Sequence, residues 1–580
     1  MCGFVGFLTL DVGACPDAVE RLGRGLDFIR RRGPDSQRCS STPDGHVHLG
    51  FARLAIVDPD ESAHQPLVSP EDGLTVVMNG EIYNYSDLRR ELDAYPFRTQ
   101  SDTEVLLATF ARWGVAGLAR LRGMFAAAIV DWKNERLFLI RDPVGKKPLF
   151  VREDGQDLVF GSSVLALQAA SRRPAALNDA AVREFWNHEY VLPDRSILES
   201  CSPVMPGEVL EYDWCGRKVQ THACRPAQPP FDSVSPDDAR QECHRLLSQS
   251  IVRRMHNNPR PVSLLSGGID STVLTQCMHQ LAGGESITLT SRLRLSPDER
   301  YAKYAARRIG VPVRQVRFSL SSMAEDVNWA FSLQDEPLAM ISFFMLAQLV
   351  KASKDYGKIL ITGDGGDEVF LGYGKPSDWT DGSATVGTPS RGTWTAGVEP
   401  PQWMSGWGRF VVREQLVGHM FTKVDRAAAE QGVETRSPLL DWDLLAFARQ
   451  LPAPTLLASG RMKSLLKGEL QDWPDWFIER PKVGFTFRMR WLWLLSGFAG
   501  VREMVSQSAV ERFGKLVPRD LRRGPREWST RTIFRNFKTI WKLMAWSEFE
   551  RRLAKSEVRQ TSSAARSVPT GTSPLVERRF

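Results

Sequence analysis

The segment Val262-Ser-Leu-Leu-Ser266-Gly267-Gly268-Ile269-Asp270-Ser271 decides the fold of the second half of the chain. A short apolar run enters a turn with two glycines, and apolar side chains at helical spacing follow it, which predicts a strand joined to a helix. The glycines allow a ligand to approach the backbone, and amides at a helix N-terminus favour an anion. No lysine stands where a Walker A loop needs one, so the turn predicts a phosphate site of another kind.

Strand and helix patterns alternate around this turn. Helical spacing is present over residues 240–253 and 271–281, a short apolar strand follows at 287–289, and a capping box at 296–299 begins the next helix. Alternation of this kind predicts a parallel α/β sheet.

A second glycine-rich turn follows the apolar run of Ile359-Leu-Ile-Thr362-Gly363-Asp364-Gly365-Gly366-Asp367-Glu368. If the two turns lie side by side, Asp270 and Asp367 would bridge Mg²⁺ on a pyrophosphate, because Mg²⁺ prefers oxygen ligands. The alternative is an acidic turn that only faces solvent.

The chain opens with a candidate nucleophile in Met1-Cys2-Gly3. Removal of Met1 would leave a thiol and a free α-amine on Cys2, and the amine, with a pKa of about 8, would act as its base. Farther along, Arg53 and Asp102 suit the carboxylate and the ammonium of an amino acid. Asn79 Nδ2 and the Gly80 N–H would donate to an oxyanion, although Asn-Gly is also a common hairpin turn.

Composition restricts the class of protein. The chain has 580 residues, of which 42% are hydrophobic and 25% charged, so we expect about two or three domains in a globular protein. No apolar run is long enough for a membrane helix, and eight scattered cysteines without a CxxC pair favour reduced thiols in the cytoplasm. The net charge of +7 is not arranged as a basic stripe with aromatics, so no nucleic-acid partner is expected.

Changes in pattern along the chain predict the domain boundaries. Residues 1–190 are rich in short β-type runs and form the first domain, 191–235 are an irregular linker, and 236–555 form the α/β domain. Residues 374–405 predict a mobile surface loop, and residues 556–580 a disordered tail.

The motifs together resemble one family. MCGFVGF, RRRGPDSQ, ARLAIVD, MNGEIYNY, SDTEVLL, RGMFAAAI and RDPVGKKPL, in this order, resemble the glutaminase domain of glutamine-dependent asparagine synthetases. LLSGGIDSTVL, GDGGDEVFLGY, KVDRAAAEQGVETRSPLLD and RMKSLLKGEL resemble their synthetase domain. The resemblance covers residues 1–550 and implies an N-terminal nucleophile (Ntn) αββα sandwich followed by a parallel-sheet α/β ATP-pyrophosphatase domain of the adenine nucleotide alpha hydrolase type.

The resemblance also implies a mechanism. Cys2 attacks the side-chain amide of glutamine, a γ-glutamyl thioester forms, and ammonia leaves through an internal channel. In the second domain ATP converts a carboxylate, in the family the β-carboxylate of aspartate, into an acyl-adenylate that ammonia attacks. Lys463 would neutralise charge as the adenylate forms, and Asp270 and Asp367 would hold Mg²⁺. A cytoplasmic homodimer without a membrane partner is a further expectation.

The resemblance assigns the site residues as follows. The catalytic residues are Cys2, Asn79, Gly80, Asp364 and Lys463. The glutamine-binding residues are Arg53, Leu54, Ala55, Ile56, Val57, Asn79, Gly80, Glu81 and Asp102. The ATP-binding residues are Leu264, Ser266, Gly267, Gly268, Asp270, Ser271, Ser291, Thr362 and Gly363.

Three departures from the family pattern leave the acceptor open. Asp364 stands where some members have Glu, Ser291 replaces an aliphatic residue, and Phe487 stands where Pro is common. The acceptor is therefore either aspartate or another carboxylate, such as a glycan uronic acid or an intermediate of a specialised metabolite. A ring-closing ligase needs no ammonia, and a non-catalytic relative would have lost Cys2 or the two aspartates, so both are disfavoured.

Overall fold

The computed structural model describes most of the chain. The described residues are 1–10, 15–227, 235–256, 261–281, 287–292, 298–317, 319, 321–380, 404–405, 408, 411–480, 493–494, 498 and 500–563. Within these ranges, the backbone alone is described for 287–292, 298, 412–415, 459 and 558–563. Phe487, the side chain of Ser291 and residues 381–403 of the predicted surface loop therefore lie outside the described residues.

Two six-stranded antiparallel sheets form the first domain, in the orders β10-β8-β9-β1-β3-β2 and β12-β11-β7-β6-β5-β4. The strands are β1 Gly3–Thr9, β2 Ser36–Ser41, β3 Val47–Arg53, β4 Leu67–Ser69, β5 Leu74–Ile82, β6 Gly123–Asp131, β7 Arg136–Arg141, β8 Phe150–Asp154, β9 Asp157–Gly161, β10 Cys201–Pro203, β11 Glu208–Asp213 and β12 Lys218–Ala223. The helices of this domain are Ala18–Ile29, Tyr85–Glu91, Asp102–Gly117, Val164–Ala170 and Asp179–His188.

Burial confirms the αββα sandwich. Phe4 on β1 and Val77 on β5 belong to one core between the two sheets. The next residue along β1, Val5, faces the opposite side and packs with the helices Ala18–Ile29 and Val164–Ala170, because strand side chains alternate. On the far side of the second sheet, Val76 packs with residues of the helix Asp102–Gly117. The domain therefore has a helical layer on each side of its paired sheets.

The second domain is built on a five-stranded parallel sheet in the order β15-β14-β13-β16-β17. Its strands are β13 Val262–Leu264, β14 Ile287–Arg292, β15 Val313–Arg317, β16 Ile359–Ile361 and β17 Glu434–Arg436. The helices of this domain and of the carboxyl-terminal segment are, in chain order, Pro236–Met255, Ile269–Leu281, Asp298–Ile309, Met323–Phe331, Ile341–Ser353, Gly366–Val369, Pro376–Thr380, the π-helix Val411–Phe421, Thr422–Ala429, Trp442–Gln450, Ala453–Leu456, Ser464–Gly468, Asp475–Ile478, Val501–Met504, Gln507–Arg512, Thr530–Arg535 and Phe537–Ser563.

Adjacency of β13 and β16 positions the second site. Parallel strands end at the same edge of a sheet, and β13 and β16 are hydrogen-bonded neighbours. The two glycine-rich turns predicted from the sequence follow these strands directly, so they lie side by side at the carboxyl edge, where open α/β sheets bind ligands.

The structure corrects two predicted boundaries. The segment predicted as a linker at 191–235 contains β10, β11 and β12, which extend the sheets of the first domain through Ala223. Their pattern is weak because β10 is short and β12 is a largely exposed edge strand, which needs no apolar alternation. The tail predicted from residue 556 begins too early, since the helix Phe537–Ser563 includes residues 556–563; residues 564–580 lie outside the described residues.

No helix in the described part of the chain has both the length and the apolar character needed to cross a membrane.

The carboxyl-terminal helix Phe537–Ser563 packs on the first domain through Trp546. This side chain is fully buried and lies 5.6 Å from the ring of Phe185 and 5.1 Å from that of Phe513. We expect Trp546→Ala to destabilise the protein by about 3–5 kcal/mol, the usual cost of deleting a buried aromatic ring. Thermal unfolding measures the effect as a lower Tm. The control is Trp476→Ala, since Trp476 is 47% exposed; equal Tm losses in both variants would contradict the prediction.

Candidate active sites

Cys2 lies at the start of β1, half-buried against the core between the sheets. Its Sγ accepts a hydrogen bond from the Leu54 N–H at 3.3 Å and lies 3.6 Å from the Leu54 carbonyl oxygen. Burial raises the pKa of the Cys2 thiol, while the positive α-amine of Met1 acts in the opposite direction. Burial also lowers the pKa of that α-amine to about 5. The sulfur therefore lies beside a backbone donor, with an amine of lowered pKa nearby.

A cavity of about 30 Å³ opens beside Cys2. It brings together most of the residues predicted to bind glutamine, and two predicted residues, Ala55 and Asn79, do not line it. The Ala55 N–H instead donates to Asp35 Oδ2 at 2.7 Å. The lining residues are Cys2, Arg53, Leu54, Ile56, Val57, Ala63, Gln65, Gly80, Glu81, Ser101, Asp102, Thr103 and Glu434.

Asn79 and Gly80 lie next to each other on β5. Asn79 is fully buried, and within the described residues neither polar atom of its side chain has a hydrogen-bond partner. It points to the same side of β5 as Val77, toward the core against which Cys2 packs. Gly80 has φ 144°, and a Cβ there would lie 2.0 Å from the Met124 carbonyl oxygen, so glycine is required. Buried polar atoms rarely stay unpaired, which makes Asn79 a candidate ligand donor.

Charged groups surround the same cavity. Arg53 donates to the carbonyl oxygens of Asp58 and, at 2.9 Å, Asp60. Asp102 Oδ2 accepts from the Ile82 N–H at 2.9 Å, and burial raises the pKa of Asp102 to about 7. A cation and a titratable carboxyl thus face one small cavity, as recognition of an amino-acid zwitterion requires.

The second domain contributes Glu434 to this cavity; the quoted KVDRAAAEQGVETRSPLLD motif contains this residue, but no role was predicted for it. Arg436 joins Glu434 to Glu81, with Nε 2.9 Å from Glu434 Oε1 and Nη2 2.6 Å from Glu81 Oε2. Burial alone would raise the pKa of Glu434, but the charges of Arg436 and Lys147 lower it to about 2. Burial raises the pKa of Glu81 well above its usual range.

The second site is a cavity of about 690 Å³ at the carboxyl edge of the parallel sheet. It contains nearly all residues predicted to bind ATP or Mg²⁺ and the two predicted catalytic residues of this domain. These are Leu264, Ser266, Gly268, Asp270, Ser271, Thr362, Gly363, Asp364, Asp367 and Lys463. Gly267 has φ 74° and lies behind the turn, where a Cβ would be 2.5 Å from the Ala302 nitrogen. Its role is therefore to let the turn pack closely on the helix Asp298–Ile309.

Lys463 brings the two predicted metal ligands together. Its Nζ lies 2.6 and 2.5 Å from the Asp270 carboxylate oxygens and 2.7 Å from Asp367 Oδ1. Burial would lower the pKa of Lys463, but the two carboxylates outweigh that effect and raise it. Lys463 has φ 57°, an uncommon conformation for a residue other than glycine. Two carboxylates from neighbouring turns therefore converge on one cation.

The same arrangement fits Mg²⁺. Two carboxylates are the number that Mg²⁺ commonly takes from a protein, the other ligands being phosphate oxygens and water. Within the described residues, no group of three or more His, Cys, Asp or Glu side chains could hold a metal by itself. Asp270 and Asp367 thus suit an ion that arrives with a nucleotide.

Several residues of this cavity were not predicted. Lys423 belongs to the quoted KVDRAAAEQGVETRSPLLD motif, so the motif contained a signal for it. Tyr373 likewise ends the quoted GDGGDEVFLGY motif, whereas His419 and Arg480 lie outside the quoted motifs. Burial lowers the pKa of His419 to about 3, and its ring stacks on Tyr190 at 5.5 Å.

Comparisons with known proteins match each of the two domains. Residues 1–223 match the family model described as a glutamine amidotransferase domain, and residues 242–551 match the model described as asparagine synthase. Asparagine synthetase [glutamine-hydrolyzing] 2 of Bacillus subtilis (strain 168) is 26% identical over 84% of this chain and 72% of its own length. Asparagine synthetase [glutamine-hydrolyzing] 1 of the same strain is 30% identical over 64% and 59%.

A fungal protein is also similar. Amidase chry2 of Gibberella zeae is 28% identical over 64% of this chain and 59% of its own length. The two family matches together span both sites, and the second alone covers more than half of the chain. The chain therefore belongs to the glutamine-dependent asparagine synthetase family, whose members are ATP-using ligases with a glutamine amidotransferase domain.

Proposed function

We propose that this protein is a glutamine-hydrolysing asparagine synthetase. It converts ATP, L-aspartate, L-glutamine and water into L-asparagine, L-glutamate, AMP and diphosphate. The observation that carries the proposal is the convergence of Asp270, Asp367 and Lys463 in a chain whose Cys2 packs against the core toward which Asn79, unpaired within the described residues, points. The first set suits an adenylating site, and the second suits release of ammonia from an amide.

In the first domain, Cys2 acts as the nucleophile once Met1 is removed. The new α-amine takes the thiol proton, and the sulfur attacks the carboxamide carbon of glutamine. Asn79 Nδ2 and the Gly80 N–H donate to the oxyanion, Arg53 binds the substrate carboxylate, and Asp102 binds its ammonium. Ammonia leaves as the γ-glutamyl thioester forms, and water then releases glutamate.

Removal of Met1 also opens space toward the second domain. The Met1 side chain is buried against Val262, Leu360 and Val433. The Nζ of Lys147 lies 2.5 Å from the Met1 sulfur. Loss of this side chain leaves room beside β13 and β16, so it provides the first part of the route for ammonia.

In the second domain, the aspartate β-carboxylate attacks the α-phosphate of ATP and diphosphate leaves. Ser266, Ser271 and the amides of their turn bind the diphosphate. Lys463 stabilises the charge that develops on the phosphate under attack. Asp270 and Asp367 would hold Mg²⁺, which when bound supplies positive charge to the phosphates. Ammonia then attacks the acyl carbon of the adenylate and AMP leaves, while Asp364 takes a proton from the nitrogen as the amide bond forms.

The charges around the cavity favour a small anionic acceptor. Lys423 and Arg480 line the cavity in addition to Lys463, and each offers a cation for a carboxylate. Aspartate carries a second carboxylate that such a cation binds. A uronic acid or a specialised metabolite has one carboxylate to activate and places no demand on a second cation.

A panel assay tests the acceptor. Purified protein with ATP, Mg²⁺ and glutamine is given L-aspartate, L-glutamate, glucuronate or galacturonate, and diphosphate and amide are both quantified. With L-aspartate, we expect one molecule of amide to form for each molecule of diphosphate released. Amidation of a uronic acid with no asparagine formed would contradict the choice of acceptor while keeping the reaction class.

Replacing the nucleophile separates the two sites. We expect Cys2→Ala to abolish glutamine hydrolysis and glutamine-dependent synthesis, because no other thiol lines the described part of the first cavity. Synthesis from ammonium chloride should continue, since it needs only the second site. Cys39→Ala is the matched control, because Cys39 is a half-buried cysteine on β2 outside the cavity. Glutaminase activity in Cys2→Ala, or Met1 still attached in active protein by mass spectrometry, would refute the assignment.

Lys463 should affect the rate more than nucleotide binding. Its charge matters most as charge builds on the phosphate under attack, so Lys463→Ala should lower synthesis by about 10²-fold or more. Asp270→Asn should instead raise the Mg²⁺ concentration needed for half-maximal rate. Lys467→Ala is the control for Lys463, since Lys467 lines the same cavity but pairs with Glu479 at 2.8 Å. An unchanged turnover number in Lys463→Ala would overturn the role.

A further inference from the structure

Lys146 belongs to the first domain but reaches into the second. It lies in the turn between β7 and β8, is 5% exposed, and donates from Nζ to Ser437 Oγ at 2.7 Å. Ser437 follows β17 directly. The proposed mechanism gives Lys146 no role.

The turn that carries Lys146 is held rigidly. The Asp142 carboxylate accepts hydrogen bonds from four successive backbone N–H groups, of residues 144–147, at 2.7 to 3.2 Å. Arg141 reinforces the turn by donating to the carbonyl oxygens of Gly145 and Lys147 at 3.0 and 2.9 Å. A lysine on such a turn is presented in one place rather than as a flexible surface arm.

A chain of hydrogen bonds continues from Lys146 to Asp364. The oxygens of Ser437 and Thr362 are 3.0 Å apart, and Thr362 Oγ1 donates to Asp364 Oδ2 at 2.6 Å. The backbone supports this contact, because the Thr362 N–H donates to the Arg436 carbonyl oxygen at 3.0 Å. Ser437 and Thr362 are both 3% exposed, so water competes little for these bonds.

The two ends fix the direction of every bond in the chain. A lysine ammonium only donates and an ionised carboxylate only accepts. The single hydroxyl hydrogen of Thr362 is directed to Asp364, so Thr362 must accept from Ser437, and Ser437 must accept from Lys146. All three bonds therefore point toward Asp364 and hold its carboxylate in one orientation.

Electrostatics agree with this direction. Burial lowers the pKa of Lys146 to about 8, and among its charged neighbours Asp364 has the largest opposing effect. The charged groups that face the ammonium are Asp364, Lys147, Asp425 and Arg254, and the ring of Phe421 lies 5.3 Å away. Lys146 is thus a buried cation whose strongest attraction is to the carboxylate at the other end of the chain.

We infer that Lys146 is a positioning residue of the synthetase site, which acts through Ser437 and Thr362 to hold the Asp364 carboxylate in one orientation. This inference rests on the proposed role of Asp364 in amide formation. It gives the first domain a part in the second half-reaction, separate from its supply of ammonia.

The test compares Lys146→Met, Lys146→Arg and Ser437→Ala in synthesis from ammonium chloride, with the carboxylate that the wild type amidates best in the panel. Lys146→Met and Ser437→Ala each break the chain, so each should lower kcat about tenfold or more, the effect of losing a hydrogen bond to a charged group. KM for ATP and glutamine hydrolysis should change less than twofold. The double variant should be no slower than either single variant, because both act through one chain.

Two further readouts separate positioning from a structural effect. Lys146→Arg keeps the charge and a donor and should recover part of kcat. In the wild type, kcat at saturating ammonia should fall as Lys146 loses its proton above about pH 8, and this alkaline limb should be absent from Lys146→Met. Lys133→Met is the matched control, since Lys133 is an exposed lysine of the same domain.

Each outcome decides the inference. Unchanged kcat in Lys146→Met, an additive loss in the double variant, or an equal loss of glutaminase activity would overturn it. If the wild type amidates a carboxylate other than aspartate, the choice of acceptor fails while this test proceeds with that substrate. A wild type that amidates no member of the panel would overturn both proposals.

Discussion

The buried guanidinium of Arg436 is the interaction on which the two-site arrangement depends. Arg436 is fully buried, pairs with Glu81 and Glu434, and donates from Nη1 to the Arg254 carbonyl oxygen at 2.6 Å. Breaking a buried ion pair by removing one partner typically costs about 3–5 kcal/mol, because a charge is left without compensation. Glu81 belongs to the first domain and the other groups to the second. Removal of Glu81 alone would leave part of the buried Arg436 charge without compensation, so the pair couples the two domains.

Because the domains are docked, the short strand β17 and the residue after it contact both cavities. Glu434, at the start of β17, lines the cavity beside Cys2, and Arg436 forms the ion pairs. Ser437, the residue after Arg436, contacts Thr362, which lines the cavity at the carboxyl edge of the parallel sheet. A second link, Arg32 to Asp425 at 2.9 Å, ties the Cys2 carbonyl oxygen to the helix that also carries Lys423. The cavity beside Cys2 is therefore completed by the second domain.

Strands and turns that are formed by neighbouring residues of the chain could be predicted from the sequence. Apolar runs ending in glycine-rich turns predicted β13, β16 and the side-by-side placement of Asp270 and Asp367, because parallel strands share an edge. Contacts between the domains depend on how the domains dock, and no sequence periodicity encodes that, so the roles of Glu434 and Lys146 could not be predicted although both residues lie in quoted motifs. The strand Lys218–Ala223 lies in the segment predicted as a linker, because an exposed edge strand has no buried face and so no apolar pattern.

Two polar groups that are costly to bury lie in or next to the first cavity. Asn79 is buried with both side-chain polar atoms unpaired within the described structure, and burial raises the pKa of Asp102 to about 7. Each feature costs folding free energy, which natural proteins accept mainly at functional sites. An amino-acid ammonium beside Asp102 would lower that pKa, and an oxyanion would give Asn79 an acceptor. Ligand binding would therefore offset these two costs. For Asn79 the offset would be largest as negative charge develops on the substrate oxygen.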